Sequence, residues 1–380
     1  MIKVLFTILL ICLTVTTIRA EVMYVEFYDV FFVDENNGWV AGLYGDSDNT
    51  VGGIVAHTND RGNTWKIQLK GPKNVNLSNI CFVNNSKGWI IGISGLGQGA
   101  LLHTENGGQN WEWKIDDSFF PVAINFVDSN EGWLIKNRHD SGYGKILHTQ
   151  DGGETWQVQL DLGMGAVLDS SFFLNHKEGW VVQDYGRIYH TVDGGQNWDK
   201  YDSDGEIGCI SVYFITSEEG WATGRNSTNY NPKYILHTID GGKSWTIQSV
   251  LENSWLMKMY FADKNEGWIF GRKFVKKIDP VSNTTSELIE GGMILHTDDS
   301  GRTWQTQFET EKPLNSMYFL NGKSGWAIGR NILIYTKDGG NTWATLNYPL
   351  STDETGVSPI MKLPVTWGHI KVIRGDNIGK

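Results

Sequence analysis

Short apolar segments alternate with polar turns along most of the chain. The first four lie at residues 30–33, 39–41, 54–57 and 65–68, and we name them strands A, B, C and D. Glycine, asparagine and aspartate are frequent between such segments, and no segment has the apolar period of an amphipathic helix. Short strands separated at regular spacing by turn residues predict an all-β fold.

A first motif recurs seven times and joins strand A to strand B. A phenylalanine at the end of strand A is followed six residues later by a Gly-Trp pair, and this distance never varies. The seven pairs are Phe32/Trp39, Phe82/Trp89, Phe126/Trp133, Phe173/Trp180, Phe214/Trp221, Phe261/Trp268 and Phe319/Trp326. A repeat of this kind predicts a fold in which each copy is one structural unit.

A second motif, His-Thr-x-Asp-x-Gly-x-(Thr, Asn or Ser)-Trp, joins strand C to strand D, and we call it the box. The seven boxes end at Trp65, Trp111, Trp156, Trp198, Trp245, Trp304 and Trp343. Their acidic position is occupied by Asp60, Asn106, Asp151, Asp193, Asp240, Asp299 and Asp338. Aspartate accepts hydrogen bonds from nearby backbone amides and glycine supplies positive φ, so we expect a structural turn in each box.

Seven units of four strands predict a seven-bladed β-propeller with four-stranded antiparallel blades and the Asp-box turn between strands C and D. The box tryptophans recur every 39 to 59 residues, whereas a solenoid has a shorter or a helical repeat. Every unit contains all four strands, so the mode of ring closure stays open. Residues 21–28 are a candidate extra strand against the last blade.

The chain divides into a leader, a propeller and a tail. Residues 1–20 combine Lys3, an apolar run over 4–15 and a small residue at Ala20, which is typical of a secretory signal peptide. We therefore expect cleavage near Ala20 and a secreted or periplasmic protein. The propeller is expected over 21–350, followed by a tail of unknown role over 351–380 that lacks both motifs.

The charge of the chain narrows the range of partners. The full sequence carries a formal charge of −11, and loss of Lys3 and Arg19 with the leader makes it −13. Such an acidic protein is a poor partner for nucleic acid or anionic membranes. Cys81 and Cys209 lie at different repeat positions, so we expect no disulfide. We also expect a monomer without a cofactor.

Loop lengths distinguish the two ends of the ring. In a four-stranded antiparallel blade, the A–B and C–D turns share one end, and the B–C and D–A connections share the other. From the first-motif tryptophan to the box histidine, or to Tyr335 in the last box, the separations are 18, 14, 15, 10, 16, 28 and 9 residues. The D–A crossings are nearly uniform. Variable connections often carry function, so the B–C face is the predicted working surface.

Basic residues follow strand B on this face. Arginines stand four residues after the first-motif tryptophan in three adjacent units and near that position in two others, as Arg225, Arg272, Arg330, Arg187 and Arg138. The longest B–C loop, over 273–292, adds Lys273, Lys276 and Lys277. Because arginine binds carboxylates bidentately, these residues are candidates for binding a protein partner or an acidic peptide. The alternative is that they are solvated strand ends.

Histidines and carboxylates suggest two further kinds of site. The six box histidines belong to different units, so we expect them to pack rather than to converge on a metal. The box aspartates lie on the end opposite the variable loops. Carboxylates in or beside the B–C loops have no spacing that singles out a catalytic pair, and they are Asp46, Asp48, Asp140, Asp184 and Glu287.

The box resembles the BNR or Asp-box motif of sialidases, sortilin-type receptors, xyloglucan hydrolases and photosystem II assembly and stability factors. The resemblance covers residues 28–348, and the unit at 214–245 is most similar to the assembly factor type. It implies a seven-bladed, non-enzymatic protein carried out of the cytoplasm. It also implies an arginine-rich patch that docks a nascent membrane-protein subunit, which Arg225, Arg272 and Arg330 match.

A secreted glycan-binding or glycan-cleaving propeller is the alternative. Sialidases use an arginine motif of the form Phe/Tyr-Arg-Ile-Pro, for which the segment from Gly186 to Tyr189 is a poor substitute. Xyloglucan hydrolases hold their acids between two propellers, whereas this chain has the length of one. We therefore expect a binding scaffold rather than an enzyme.

Overall fold

The computed structural model describes residues 24–45, 51–95, 97–116, 120–138, 142–202, 207–226, 233–252, 254–278 and 285–349. The predicted all-β, seven-bladed propeller is confirmed, because seven sheets each contain four antiparallel strands that are consecutive in the chain. Among these residues the one helical element is a 3-10 turn at Asp184–Gly186. No helix in the described part of the chain is long and apolar enough to cross a membrane.

Each blade contributes one strand of each kind. The A strands are β1 (Tyr24–Phe32), β5 (Val75–Phe82), β9 (Phe120–Phe126), β13 (Leu168–Phe173), β17 (Ile207–Phe214), β21 (Ser254–Phe261) and β25 (Leu314–Phe319). The B strands are β2 (Gly38–Gly45), β6 (Gly88–Ser94), β10 (Gly132–Asn137), β14 (Gly179–Gln183), β18 (Gly220–Asn226), β22 (Gly267–Ile278) and β26 (Gly325–Gly329). The C strands are β3 (Val51–Thr58), β7 (Gly99–Thr104), β11 (Gly144–Thr149), β15 (Arg187–Thr191), β19 (Lys233–Thr238), β23 (Thr285–Thr297) and β27 (Ile332–Thr336). The D strands are β4 (Lys66–Lys73), β8 (Glu112–Asp116), β12 (Gln157–Asp161), β16 (Asp199–Asp202), β20 (Thr246–Leu251), β24 (Gln305–Thr310) and β28 (Ala344–Thr345).

The A strands form the inner wall of the ring. Each contacts the A strand of the next blade, and β25 of the last blade contacts β1 of the first. Since the strands of each blade lie side by side in chain order, the D strands form the outer rim. Seven apolar clusters fill the spaces between neighbouring blades.

The first-motif tryptophan joins each blade to the next. All seven of these indoles are at most 1% exposed. Trp39 stacks on Phe82 of the next blade with 3.8 Å between ring centroids, and its Nε1–H donates to the Gly107 carbonyl of that blade's box at 3.2 Å. His57 of its own box packs against the same indole at 4.7 Å. One side chain therefore connects two strands and a turn across each junction.

The box turn is held by its threonine and its aspartate. In blade 4, Thr191 Oγ1 accepts the backbone N–H of Gly195 at 2.8 Å and donates to Asp193 Oδ1 at 2.9 Å. Asp193 accepts the side-chain and backbone N–H groups of Asn197 at 2.7 and 2.9 Å. These bonds hold the pKa of Asp193 below its usual value, because they favour the ionised carboxylate.

A third repeated position, which the sequence reading missed, caps the A–B turn two residues after the motif phenylalanine. Asp34 Oδ1 accepts the backbone N–H groups of Asn36 and Asn37, both at 2.8 Å. The equivalent caps are Asn84, Asp128, Asn175, Thr216, Asp263 and Asn321. The A–B and box turns of one blade also hydrogen-bond, as from Arg61 N–H to the Asn36 carbonyl at 3.1 Å, so both lie at the same end.

Ring closure uses the same contacts as the other junctions. Trp326 of blade 7 stacks on Phe32 of blade 1 at 3.7 Å and donates to the Arg61 carbonyl at 3.0 Å. Within the described part of the chain, the candidate segment 21–28 does not add a strand to the last blade. Residues from Tyr24 onward pair with β2 inside blade 1, and the preceding residues lie outside the described part. The leader and the tail over 351–380 also lie outside it.

The box threonine is expected to contribute more through its hydroxyl than through its methyl group. The change Thr191→Val keeps the shape but removes the acceptor of the buried Gly195 N–H, at a cost of about 1–3 kcal/mol. The change Thr191→Ser keeps the acceptor and is the matched control. Urea unfolding should give a lower midpoint for the valine variant than for the serine variant. Equal midpoints, or the reverse order, would show that the hydroxyl is dispensable.

Candidate functional site

On the B–C face, the longest connection is a paired β-hairpin and not the loop that the sequence suggests. The expectation of a long loop over 273–292 is wrong, because β22 and β23 extend as a β-hairpin and pair from Lys273/Gly291 to Ile278/Thr285. Lys276 and Lys277 are therefore strand residues, although their side chains lie outside the described part. Asp46, Asp48 and Asp140 and the side chain of Glu287 also lie outside it.

A β-bulge interrupts strand A of every blade, four residues before the motif phenylalanine. The positions skipped in the A–B register are Tyr28, Ser78, Val122, Asp169, Ile210, Met257 with Lys258, and Asn315. Bulges redirect side chains locally and are common beside functional sites. The sequence reading missed these positions, although their spacing from the motif phenylalanine is constant. Asp169 lies near Arg225, and Tyr28 and Asn315 lie near Arg272.

Arg225 is part of a carboxyl cluster between blades 4 and 5. Its Nη2 lies 3.4 Å from Asp184 Oδ1, in the 3-10 turn of the B–C connection of blade 4. Burial raises the pKa of the bulge residue Asp169 to about 7, with a further contribution from the charge of Asp184 that Arg225 opposes. Within the described part of the chain, the buried Asp169 Oδ2 accepts no hydrogen bond. The charge of Arg225 is thus compensated by the protein itself.

Arg272 connects three blades. Its Nε donates to the Leu314 carbonyl at 3.1 Å, and Nη2 donates to Asn315 Oδ1 at 2.5 Å, both on blade 7. Asn315 Nδ2 in turn donates to the Phe27 carbonyl at 2.9 Å and to Glu26 Oε1 at 3.2 Å, both on blade 1. The half-buried guanidinium of Arg272 therefore donates its hydrogen bonds to acceptors of the protein at the junction of blades 6, 7 and 1.

Arg330 is the most available of the three aligned arginines. It is exposed, and its guanidinium carbon lies 5.2 Å from the ring centroid of Tyr24, which is itself 38% exposed. Among the described residues it has no carboxylate within ion-pair distance. An exposed guanidinium over an exposed aromatic ring offers both charge and a flat apolar surface to a partner.

The remaining cations have separate surroundings. Arg187 Nε lies 3.6 Å from Asp202, and Lys273 Nζ lies 2.7 Å from Glu309. Arg138 is exposed beyond the end of β10. The structure therefore places Arg272 and Arg330 beside strand A of blade 1, through Asn315 and Tyr24 respectively, and it places Arg225 in a different cluster.

Exposed apolar side chains accompany these cations on the B–C face. Trp255, near the start of β21, is 45% exposed, and the Lys233 Nζ lies 5.9 Å from its ring centroid. Tyr185, in the B–C turn of blade 4, is 57% exposed. Exposed aromatic groups next to charged side chains are typical of surfaces that bind other molecules.

The box histidines each pack against the tryptophan of their own blade. One of them, His103, lies with Glu112 and Glu154 so that one ligand atom from each falls within 4.8 Å of the others. Lys114 of blade 2 lies with its Nζ 3.2 Å from Glu154 of blade 3, so this lysine compensates part of the negative charge. Glu112 directly follows a box and Glu154 lies within the next one, which places this group at the end opposite the B–C face.

Comparison with known proteins decides the family. The sequence matches the family model described as photosynthesis system II assembly factor YCF48 over residues 16–118, 112–206 and 157–253, together more than half of the chain. The chain belongs to the YCF48 family. No curated protein sequence matches it.

Solved structures share the propeller of this YCF48-family chain at low identity. A structure described as YCF48 bound to D1 peptide is 19% identical, with a TM-score of 0.60, over 83% of this chain and 94% of that one. YCF48 from Cyanidioschyzon merolae is 17% identical, with a TM-score of 0.58, over 83% and 96%. An ancestral GH74 enzyme is 14% identical, with a TM-score of 0.61, over 86% of this chain and 47% of that one. These likenesses show the fold alone.

The carboxyl cluster at Arg225 predicts a pH dependence of stability. An ordinary aspartate ionises near 3.8, whereas folded Asp169 does so at about 7, so stability falls as the pH rises through this window. The change Asp169→Asn removes the charge and should raise the melting temperature by at least about 2 °C near pH 8, with little effect near pH 5. Asp202→Asn, beside Arg187 on the same face, is the control. The same melting difference at both pH values would contradict the assignment.

Proposed function

We propose that this chain is a non-enzymatic, extracytoplasmic scaffold that binds an acidic segment of another protein on its B–C face. The observation that carries the proposal is the exposed Arg330–Tyr24 pair at the junction of blades 7 and 1. Among the described residues, no carboxylate lies within ion-pair distance of this arginine, although the protein as a whole is acidic. An acidic segment is the complementary ligand for such a group.

The family supports binding of a protein segment. A YCF48 has been solved with a D1 peptide bound. Because this chain belongs to the same family, we expect it to bind a peptide as well. The proposal does not require D1 as the partner. It assigns the recognition to Arg330 and Tyr24, with Trp255 as an exposed aromatic contact on the same face.

The three aligned arginines are proposed to have different roles, because each has different partners. Arg272 stabilises the junction of blades 6, 7 and 1 through Asn315, so its replacement affects folding as well as binding. Arg225 is paired with Asp184, so a ligand carboxylate must compete with a carboxylate of the protein. Arg330 has neither constraint, and it is the arginine at which binding is tested most cleanly.

Replacement of Arg330 should weaken peptide binding without unfolding the protein. Short random peptides displayed on phage are selected on the wild-type protein, and the selected peptides should be enriched in aspartate and glutamate. Arg330→Gln should weaken their binding by about three- to tenfold, measured by fluorescence anisotropy at low salt. Arg302→Gln is the matched control, because Arg302 is also exposed but lies in a box turn at the opposite end.

Equal affinities for wild type and Arg330→Gln would remove this residue from the site. A similar loss in Arg302→Gln would show that the peptides respond to overall charge rather than to the B–C face. Failure to select any peptide would contradict the proposed function itself.

A glycan-cleaving function is the second candidate, and one feature favours it. Asp169 and Asp184 are two carboxyl groups beside Arg225, and the pKa of the first is raised to about 7, as a general acid requires. Reducing-end release from a panel of polysaccharides, lost in both Asp169→Asn and Asp184→Asn, would support this candidate. No release from wild type, with no binding on a glycan array, would eliminate it.

We further propose that residues 1–20 direct export. The support is the apolar run over 4–15 and the small residue at Ala20. When the full chain is expressed in a Gram-negative host, the protein recovered outside the cytoplasm should begin near Glu21 by amino-terminal sequencing. A chain that stays in the cytoplasm and begins at Met1 would contradict this assignment.

A further inference from the structure

The hairpin of blade 6 extends beyond its own sheet. Strand β21 begins at Ser254, opposite Lys273, and β24 ends at Thr310, opposite Gly292. Beyond these points, residues 274–278 of β22 pair only with residues 285–289 of β23. We call these two segments the blade 6 ribbon. Within the described part of the chain, no third strand covers either edge of the ribbon.

The inner edge of the ribbon is a template for another strand. Backbone N–H and C=O groups of a β-strand point alternately to its two sides, so β22 presents unpaired groups on the side away from β23. In the sheet below, that side is occupied by β21, which is the strand nearest the axis. A chain paired with this edge would therefore continue the line of β21 across the B–C face.

The basic residues of β22 favour an added strand of negative charge. The strand contains Arg272, Lys273, Lys276 and Lys277 and no acidic residue. Lysines on an exposed edge discourage pairing with neutral or basic strands. Arg272 is already bonded to blade 7 and Lys273 to Glu309, so Lys276 and Lys277 are the charges that the open edge itself contributes. An acidic strand gains from these two lysines, which also disfavour pairing with the β22 edge of a second copy of this protein.

Exposed apolar side chains lie next to this edge. Trp255 is 45% exposed and meets the buried Phe274 ring edge-on, with 6.4 Å between centroids. Val275 on β22 and Ile289 on β23 are 36% and 47% exposed. When a peptide joins a sheet edge, main-chain bonds supply affinity and apolar contacts to alternate side chains supply specificity.

We infer that the open edge of β22 over residues 274–278 binds an extended acidic peptide by strand addition, with its alternate apolar side chains against Trp255 and Val275. This inference rests on the proposed function and specifies the conformation of the ligand and the strand that receives it. Binding by strand addition depends on the peptide backbone, which separates it from recognition by side chains alone.

The test uses a fluorescein-labelled synthetic peptide of alternating valine and glutamate. Two derivatives carry N-methyl groups on every second residue, one on the valines and one on the glutamates. Because only one set of amides faces the receiving strand, one derivative should lose binding by about tenfold or more, and the other should retain it.

A shortened protein tests the receiving edge. Residues 275–288 are replaced by Asn-Gly, which closes the Phe274–Ile289 pair with a two-residue hairpin turn and removes the ribbon. This variant should melt as wild type does and lose the peptide by about tenfold or more. The control Lys276→Gln with Lys277→Gln keeps the edge, and it should weaken binding by only about two- to fourfold at low salt.

Several outcomes would overturn the inference. Equal binding of both methylated peptides would exclude strand addition, and full binding by the shortened protein would exclude the ribbon. A wild-type dimer in sedimentation that disappears on shortening and is not displaced by the peptide would show that a second copy occupies the edge. If the valine-glutamate peptide does not bind while the phage-selected peptides still depend on Arg330, the inference fails and the proposed function stands.

Discussion

The structure depends on the contact between the first-motif tryptophan and the next blade. In most junctions the indole N–H donates to a carbonyl of the neighbouring box, and in all seven the ring stacks on the neighbouring phenylalanine with centroids 3.4 to 4.2 Å apart. In blade 3 the N–H instead donates to Gln159, which in turn donates to the Gly194 carbonyl of the next blade. Since blade 7 meets blade 1 by the same contact, the ring closes without exchange of a strand.

This contact restricts the two ends of the ring unequally. The box turn must present a carbonyl to the indole of the preceding blade and also bond to the A–B turn, so its length and its residues are fixed. The B–C connections take no part in these tryptophan contacts. They differ in length from blade to blade, and one of them has grown into the blade 6 ribbon. Variation is therefore tolerated on the face to which we assign binding.

The repeat motifs predicted the fold because they contain the residues that build the junctions. Spacing alone identified Phe32 and Trp39 as partners in the pattern, although it did not show that each indole reaches the following blade. The grouping of the arginines was not predictable in the same way. Arg272 hydrogen-bonds to Asn315, and Arg225 interacts electrostatically with Asp169. Both partners belong to A strands of other blades and are positioned by bulges. The long insertion was expected to be a loop because lysines and a proline obscured its strand pattern.

The central claim is that the variable face binds a protein segment, while the box end maintains the ring. A crystal structure of the protein with a phage-selected acidic peptide tests this claim most directly. Peptide density is expected on the B–C face, with a peptide carboxylate at Arg330 and the chain passing beside Trp255. Density on the box turns, with the B–C face unoccupied, would contradict it.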